Sequence, residues 1–246
     1  MKGNYLLASH ASFVEINIYA DKSALILDWL LSLPSLKEKF SLRQVTHDRG
    51  VSIGLVQKVF ATLVLLGILQ TEGVRTAKKF YLKKPELLLQ SWIDNYSIVK
   101  KCRMWTYRSG FQNKKELLGH LARAGLSKKV ALALHSAAAE YGCQNTNLTT
   151  LELYLLDPTI RLQLEKTLQL EPQERGYEVL LIEPYYKSLL HQNIALAKKG
   201  KVKTKIALSS PLLTYLDLYH FPLRGLEQAE FMAERLAELK RIVKTP

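Results

Sequence analysis

The chain has 246 residues, of which 48% are hydrophobic and 23% are charged, and its formal net charge is +13. This composition is that of a globular protein with a hydrophobic core, and no apolar stretch is long enough to cross a membrane. We therefore expect a cytoplasmic protein without a signal peptide, and the excess of 35 Lys and Arg over 22 Asp and Glu favours a polyanionic partner.

One helix is predicted before residue 40. Residues 14–20 alternate weakly between apolar and polar side chains and indicate at most a short strand. Asp21 or Ser23 is positioned to cap a helix that runs to Leu33, where Pro34 ends it.

Residues 40–84 have the order helix, turn, helix and hairpin. Ser41 and Gln44 form a capping box, which predicts that a short helix begins directly after Ser41. Gly50 supplies the positive φ that a tight turn between helices requires. Ser52 is then positioned to cap the second helix.

The second helix is predicted to have two different faces. The buried stripe, at spacings i, i+3, i+4 and i+7, consists of Val56, Val59, Phe60 and Leu63. The opposite face near the helix start carries Ile53, Gly54, Gln57 and Lys58. Side chains at such a position contact base edges when the helix enters the major groove of DNA.

The last turn of this helix is apolar on all sides. Val64, Leu65 and Leu66 occupy positions where a solvated helix normally has charged residues, and Gly67 is expected to end the helix. We expect the apolar turn to be covered by the rest of the chain or by another subunit. Tolerated surface aliphatic residues are an equally good interpretation.

A basic β-hairpin is predicted after the second helix, with strands at residues 68–71 and 79–82. Its cations Arg75, Lys78 and Lys79 would lie within reach of phosphates, beside Arg43 of the preceding helix. This order of elements predicts a winged helix-turn-helix that binds double-stranded DNA. The alternative is a small helical domain with a solvated basic loop.

Lys83–Lys84–Pro85 interrupts the pattern and divides the chain into a DNA-binding domain at 1–84 and a second domain at 85–246. Helices and strands mix there without strict alternation, which indicates an α+β fold. The predicted helices are 86–99, 114–124, 128–141, 157–170, 212–220 and 226–243. The predicted strands are 104–107, 149–156, 177–182 and 201–209.

No complete catalytic motif or metal-ligand spacing is present, so we expect no enzyme activity, no metal and no cofactor. The nearest arrangement is His135–Ser136 followed by Glu152 on a strand. A nucleotidyltransferase needs two metal-binding carboxylates at this place, and only one is available. A degenerate nucleotidyltransferase-like fold fits this arrangement. The alternative functions are a nucleotidyltransferase-related nucleic-acid-processing enzyme and a ligand-sensing winged-helix regulator.

Residues 22–240 resemble the AbiEi-type antitoxins of bacterial type IV toxin–antitoxin systems. The resemblance rests on KFYLKKPELLLQSWIDNY, RMWTYRS, ALALHSAAAEYG, LELYLLD and EVLLIEPYY, and most specifically on SSPLLTYLDLYHFPLRGLEQAEFM. That last segment contains Tyr215, Asp217 and Arg224, and we expect Arg224 to pair with Asp217 or Glu227 and so order the last helix. The chain departs from the family at Leu134–His135, where a Thr-Gly pair is common.

The resemblance implies a transcriptional regulator whose winged helix binds inverted repeats in its own promoter. It also implies that residues 85–246 oppose a nucleotidyltransferase toxin, functionally and not necessarily by direct binding.

Overall fold

The computed structural model describes residues 16–35, 37–74, 78–145, 147–199 and 206–243. Helices and strands mix throughout this part of the chain. The helices are α1 (Asp21–Leu31), α2 (Leu42–Arg49), α3 (Ile53–Leu65), α4 (Pro85–Asn95), α5 (Ile98–Lys101), α6 (Lys114–Arg123), α7 (Leu134–Glu140), α8 (Arg161–Thr167), α9 (Lys187–Lys199), α10 (Pro211–Tyr219), α11 (Gly225–Arg235) and α12 (Ala237–Lys240). The strands are β1 (Leu69–Glu72), β2 (Lys79–Leu82), β3 (Arg103–Ser109), β4 (Val130–Leu132), β5 (Leu151–Leu155), β6 (Leu170–Pro172), β7 (Val179–Glu183) and β8 (Ala207–Leu208).

An aromatic cluster joins the first three helices to the β1–β2 hairpin. Phe40 stacks edge-on against Trp29 and Phe60, and Phe60 packs in the same way on Phe80, with ring centroids 4.8 to 5.7 Å apart. Phe40 also pairs with Phe80 through two backbone hydrogen bonds of 2.9 and 2.8 Å. Phe40, which precedes α2, therefore pairs with the edge of β2 that faces away from β1.

Residues 103–208 contain a six-stranded mixed sheet with the order β6-β3-β7-β5-β4-β8. β3 runs antiparallel to β6 and β7, and β5 runs parallel to β7. β4 pairs antiparallel with β5 and parallel with β8. Every residue of β5 is buried, because the sheet continues on both sides of it and both its faces are covered.

One hydrophobic cluster extends across residue 84, the boundary expected from the sequence, and includes side chains of α1, α4 and α9. A buried ion pair between α1 and α2 is hydrogen-bonded to α9 across this boundary. Arg49 at the end of α2 donates to Asp28 of α1 over 2.8 Å, and it exchanges hydrogen bonds with Gln192 of α9. Burial raises the pKa of Asp28, while Arg49 and Asn193 oppose the rise.

Several expectations about local structure were wrong at the ends of helices. α1 begins after Ala20 without a side-chain cap, and the carboxylate of Asp21 instead accepts from the backbone N–H of Ser188 in α9. Residues 16–20 form a turn and no strand, while residues 14–15 lie outside the described part of the chain. The helix predicted for 226–243 is broken at Leu236, which has extended backbone.

Longer corrections fall after residue 84. The first half of the helix predicted for 128–141 is strand β4, because β5 and β8 pair with it on both sides. The helix predicted for 86–99 is interrupted at Tyr96, whose backbone is extended and whose side chain is buried. The helix predicted for 157–170 ends early, and its last residue opens edge strand β6. α9 was not predicted, and residues 201–205 of the last expected strand lie outside the described range.

No helix in the described part of the chain is both long and apolar enough to span a membrane.

Candidate nucleic-acid interface

Local interactions fix both ends of α2 and the start of α3. The Ser41 hydroxyl accepts the backbone N–H of Gln44, and the Ser52 hydroxyl accepts that of Leu55, so each serine caps the helix that follows it. Gly50 ends α2 with φ of 64°, a left-handed conformation that glycine adopts without steric cost. These short-range contacts place the end of α2 and the start of α3.

The two faces of α3 differ as the sequence predicts. Val56, Val59, Phe60 and Leu63 are at most 1% exposed and pack into the hydrophobic core. On the other side, the side chains of Ile53, Gln57 and Lys58 are exposed, and so is Gly54. The first two turns of α3 therefore offer an unoccupied surface to solvent.

A groove of about 800 Å³ lies between this surface, the start of α2 and strand β2. It brings together residues that are up to 39 positions apart in the sequence, from position 41 to position 80. The lining residues that were expected to contact DNA are Ser41, Arg43, Ile53, Gln57, Lys78 and Lys79. Ser52, Gly54 and Lys58 do not line the groove and lie exposed on the first turns of α3 or directly before it. Arg75 lies outside the described residues.

The cations around the groove are available to a ligand. Arg43, Lys58, Lys78 and Lys79 are all exposed, and none has an ion-pair partner within the described residues. The Lys78 ammonium lies 5.4 Å from the ring centre of Phe80, a cation–π contact that fixes it near the rim. The groove therefore combines a positive rim with one amide, that of Gln57, on its helical wall.

Gly54 has no packing reason to be a glycine. It lies in the first turn of α3 with an ordinary negative φ, and a Cβ built on it would meet no atom within 4 Å. A glycine inside a helix destabilises it by roughly 0.5–1 kcal/mol relative to alanine. Glycine is also used where a ligand comes close to the main chain, and such an approach would explain why position 54 is a glycine.

Sequence reasoning missed the apolar part of the groove. Ala61, Val64 and Leu65 line it, and the i+4 spacing from Ile53 through Gln57 already places Ala61 and Leu65 on the same side of the helix. Val64, Leu65 and Leu66 are 37%, 77% and 49% exposed. Within the described part of the chain, the expected cover over this turn is absent.

The three residues singled out in the last third of the chain have separate roles. Asp217 is fully buried and accepts hydrogen bonds from the hydroxyls of Tyr96 and Tyr154 over 2.8 and 2.6 Å. Burial raises the pKa of this carboxyl to about 7, and the two hydroxyls oppose the rise. Tyr215 is also buried, and because it is two positions from Asp217 in α10 it lies on nearly the opposite side of that helix.

The expectation that Arg224 pairs with Asp217 or Glu227 is resolved in favour of Glu227. The Arg224 guanidinium lies 2.6 Å from the Glu227 carboxylate, and the two side chains are 57% and 56% exposed. A pairing with Asp217 was wrong, because that carboxylate is enclosed by tyrosines. The exposed pair contributes at most about 1 kcal/mol.

The carboxylate of Glu152 is completely enclosed. One oxygen accepts the hydroxyls of Thr150 and Tyr177, and the other accepts the backbone N–H and the hydroxyl of Ser136. Lys114 donates to the same serine over 3.1 Å. Because each oxygen already has two donors and the residue has no exposed surface, the carboxylate is saturated and inaccessible.

Comparison with known sequences identifies the second part of the chain. The sequence model of a family described as "Transcriptional regulator, AbiEi antitoxin, Type IV TA system" matches residues 81–238, more than half of the chain. No curated protein and no solved structure matches. The match begins inside β2, so it includes Tyr215, Asp217 and Arg224 and leaves out the groove residues contributed by α2 and α3. The chain belongs to the AbiEi antitoxin family of transcriptional regulators of type IV toxin–antitoxin systems.

Proposed function

We propose that the protein is a DNA-binding regulator whose residues 1–84 form a winged helix-turn-helix, and that it represses its own operon. In this proposal α3 enters the major groove and the β1–β2 hairpin is the wing that contacts the phosphate backbone. Residues 85–246 carry the antitoxic output against a nucleotidyltransferase toxin and need not bind that toxin directly.

The observation that carries the proposal is the groove between α3 and the hairpin. Gln57 and Ile53 on one wall have the chemistry of base readout, since an amide pairs with adenine and an aliphatic group contacts the thymine methyl. Lys78, Lys79 and Arg43 on the other side supply cations for phosphates. The net charge of +13 favours the same polyanionic partner.

Salt dependence of binding to duplex DNA tests the phosphate contacts. We would titrate fluorescent duplexes that cover the promoter upstream of the gene with the full-length protein and record anisotropy at several salt concentrations. The logarithm of the affinity should fall with the logarithm of the salt concentration, with a slope of about −0.9 per phosphate contact. Lys78→Ala should weaken binding to all sequences and make the slope shallower by about one.

Lys128→Ala is the matched control. It removes the same charge from an exposed lysine that does not line the groove, so it should leave the slope unchanged. If full-length protein fails to bind duplex DNA at low salt, or if both variants change the slope equally, the proposed interface is wrong.

We also propose that the regulator acts without catalysis. The enclosed Glu152 supports this, because two-metal phosphoryl chemistry needs carboxylates open to the ions. A magnesium-dependent transfer assay with labelled nucleoside triphosphates should give no incorporation into nucleic acid or protein. Incorporation that Glu152→Gln abolishes while the fold survives would establish the nucleotidyltransferase alternative.

Co-expression tests the antitoxic role. The product of a neighbouring nucleotidyltransferase reading frame should arrest growth, and the full-length protein should relieve the arrest. Glu152→Gln, if folded, should relieve it equally.

A further inference from the structure

A second groove, of about 790 Å³, lies between α4 and the pair α10 and α11. Its apolar wall includes Leu89 and Ile93 of α4, and its aromatic wall is formed by Tyr215 and Tyr219, whose ring centroids are 5.9 Å apart. The volume lies in the range of small-molecule sites, which are likewise apolar with a few polar groups. None of the residues assigned to DNA binding contributes to it.

Among the described residues that line this groove, the net charge is opposite in sign to that of the chain. Glu86, Glu230 and Glu234 line it, and Lys84 is the one cation among the described lining residues. Glu230 and Glu234 lie one turn apart on α11, where two like charges destabilise a helix by a few tenths of a kcal/mol. Both are exposed, and neither has a hydrogen-bond or ion-pair partner among the described residues. A cation between them would remove this repulsion.

Tyr215 provides an independent indication of a ligand. Its side chain is only 3% exposed, and its hydroxyl has no hydrogen-bond partner among the described residues but is not one of the fully enclosed polar atoms. The hydroxyl therefore opens onto the groove that this residue lines, where a bound molecule can accept its hydrogen bond. Burial, together with Tyr219 and Glu230, raises the pKa of Tyr215, so the hydroxyl stays protonated and able to donate.

We propose that this groove binds a small organic cation, an amine or quaternary ammonium attached to an apolar body. The ammonium would lie between Glu230 and Glu234 against the face of Tyr219, where carboxylates and an aromatic ring both favour positive charge. The apolar body would contact Leu89 and Ile93 of α4. This site is independent of the proposed DNA interface.

Ligand-observed NMR with two matched probes tests the proposal on the full-length protein. Benzyltrimethylammonium is the cationic probe, and benzyl alcohol presents the same ring without charge. The Kd measured by saturation transfer should be lower for the cation than for the alcohol. Glu230→Gln/Glu234→Gln should raise that Kd by about three- to tenfold, as expected for two partly solvated ion pairs, and leave the alcohol unaffected.

Two further variants locate the site. Tyr219→Leu should raise the Kd of the cation more than that of the alcohol, because it removes the aromatic ring against which the ammonium would lie. Glu171→Gln/Glu174→Gln removes two exposed carboxylates outside the groove and should change neither Kd. The proposal is overturned if the cation binds no more tightly than the alcohol, or if this control weakens the cation as much as the α11 variant does. An unchanged cation Kd in both the α11 variant and Tyr219→Leu overturns it as well.

Discussion

Replacement of Gly54 by alanine separates the stability of the fold from the proposed contact with DNA. The new methyl group would enter open space on the first turn of α3, so it strains nothing. Alanine loses less backbone entropy on folding, and the gain is at most about 0.5–1 kcal/mol at a helix position. For a chain of this size, each kcal/mol raises Tm by about 2–4 °C.

The same methyl group should weaken DNA binding. If the backbone of α3 approaches a base pair or a phosphate at Gly54, the Cβ occupies space that DNA needs. A tenfold loss of affinity corresponds to about 1.4 kcal/mol, which anisotropy titrations resolve easily. We expect a loss of at least this size, together with an unchanged or higher Tm. The two measurements should therefore move in opposite directions.

Gly119→Ala is the matched control for both measurements. Gly119 lies in α6, and a Cβ at this position would have the Arg123 guanidinium, 4.0 Å away, as its nearest neighbour. We expect a similar gain in Tm and unchanged DNA affinity. If Gly54→Ala binds DNA as tightly as the unaltered protein, α3 does not approach DNA at its first turn. If Gly119→Ala weakens DNA binding as much as Gly54→Ala does, the loss of affinity comes from altered helix dynamics and not from a contact between DNA and Gly54.

Four other substitutions have outcomes that the structure specifies. Gln57→Ala should cost about 1–3 kcal/mol on a selected operator and little on random DNA, and an equal loss on both would mean that another face of α3 reads the bases. Arg49→Met leaves Asp28 buried without its cation and should lower the free energy of unfolding in urea by about 3–5 kcal/mol; a loss under 1 kcal/mol contradicts the burial of the pair. Asp217→Asn tests a pH effect: the folded pKa of about 7 exceeds the ordinary 3.8, so the folded state retains a proton that the unfolded state releases. Between these two pH values, the free energy of unfolding of the unaltered protein minus that of the variant should fall by about 1.4 kcal/mol for each unit of rising pH. Parallel curves of unfolding free energy against pH for the two proteins would refute this expectation. Arg224→Ala should change the unfolding free energy by less than about 1 kcal/mol, because its ion pair is exposed; a melting curve showing loss of the fold would mean that the pair is structural.

The sequence alone determines the elements that local chemistry governs. The serine caps before α2 and α3, the positive φ of Gly50 and the four-residue stripe of α3 depend on residues within one or two turns of each other. Strand β2 has the predicted bounds, and β1 begins and ends one residue later than expected. Most residues of the candidate interface could be named in advance for the same reason, since they come from contiguous elements.

Tertiary contacts decided the rest. The segment of β4 has the small apolar residues of a helix, and it becomes a strand because β5 and β8, which lie roughly 20 residues or more later in the sequence, satisfy its backbone hydrogen bonds. Tyr96 continues a helical spacing, yet its backbone is extended where its hydroxyl reaches Asp217, 121 residues further along the chain. Local pattern cannot indicate which distant group will compensate a buried carboxylate or an open backbone edge. The partner of Asp217, the enclosure of Glu152 and the acidic groove beside α4 depend on that assembly, since burial exists only once the chain has packed.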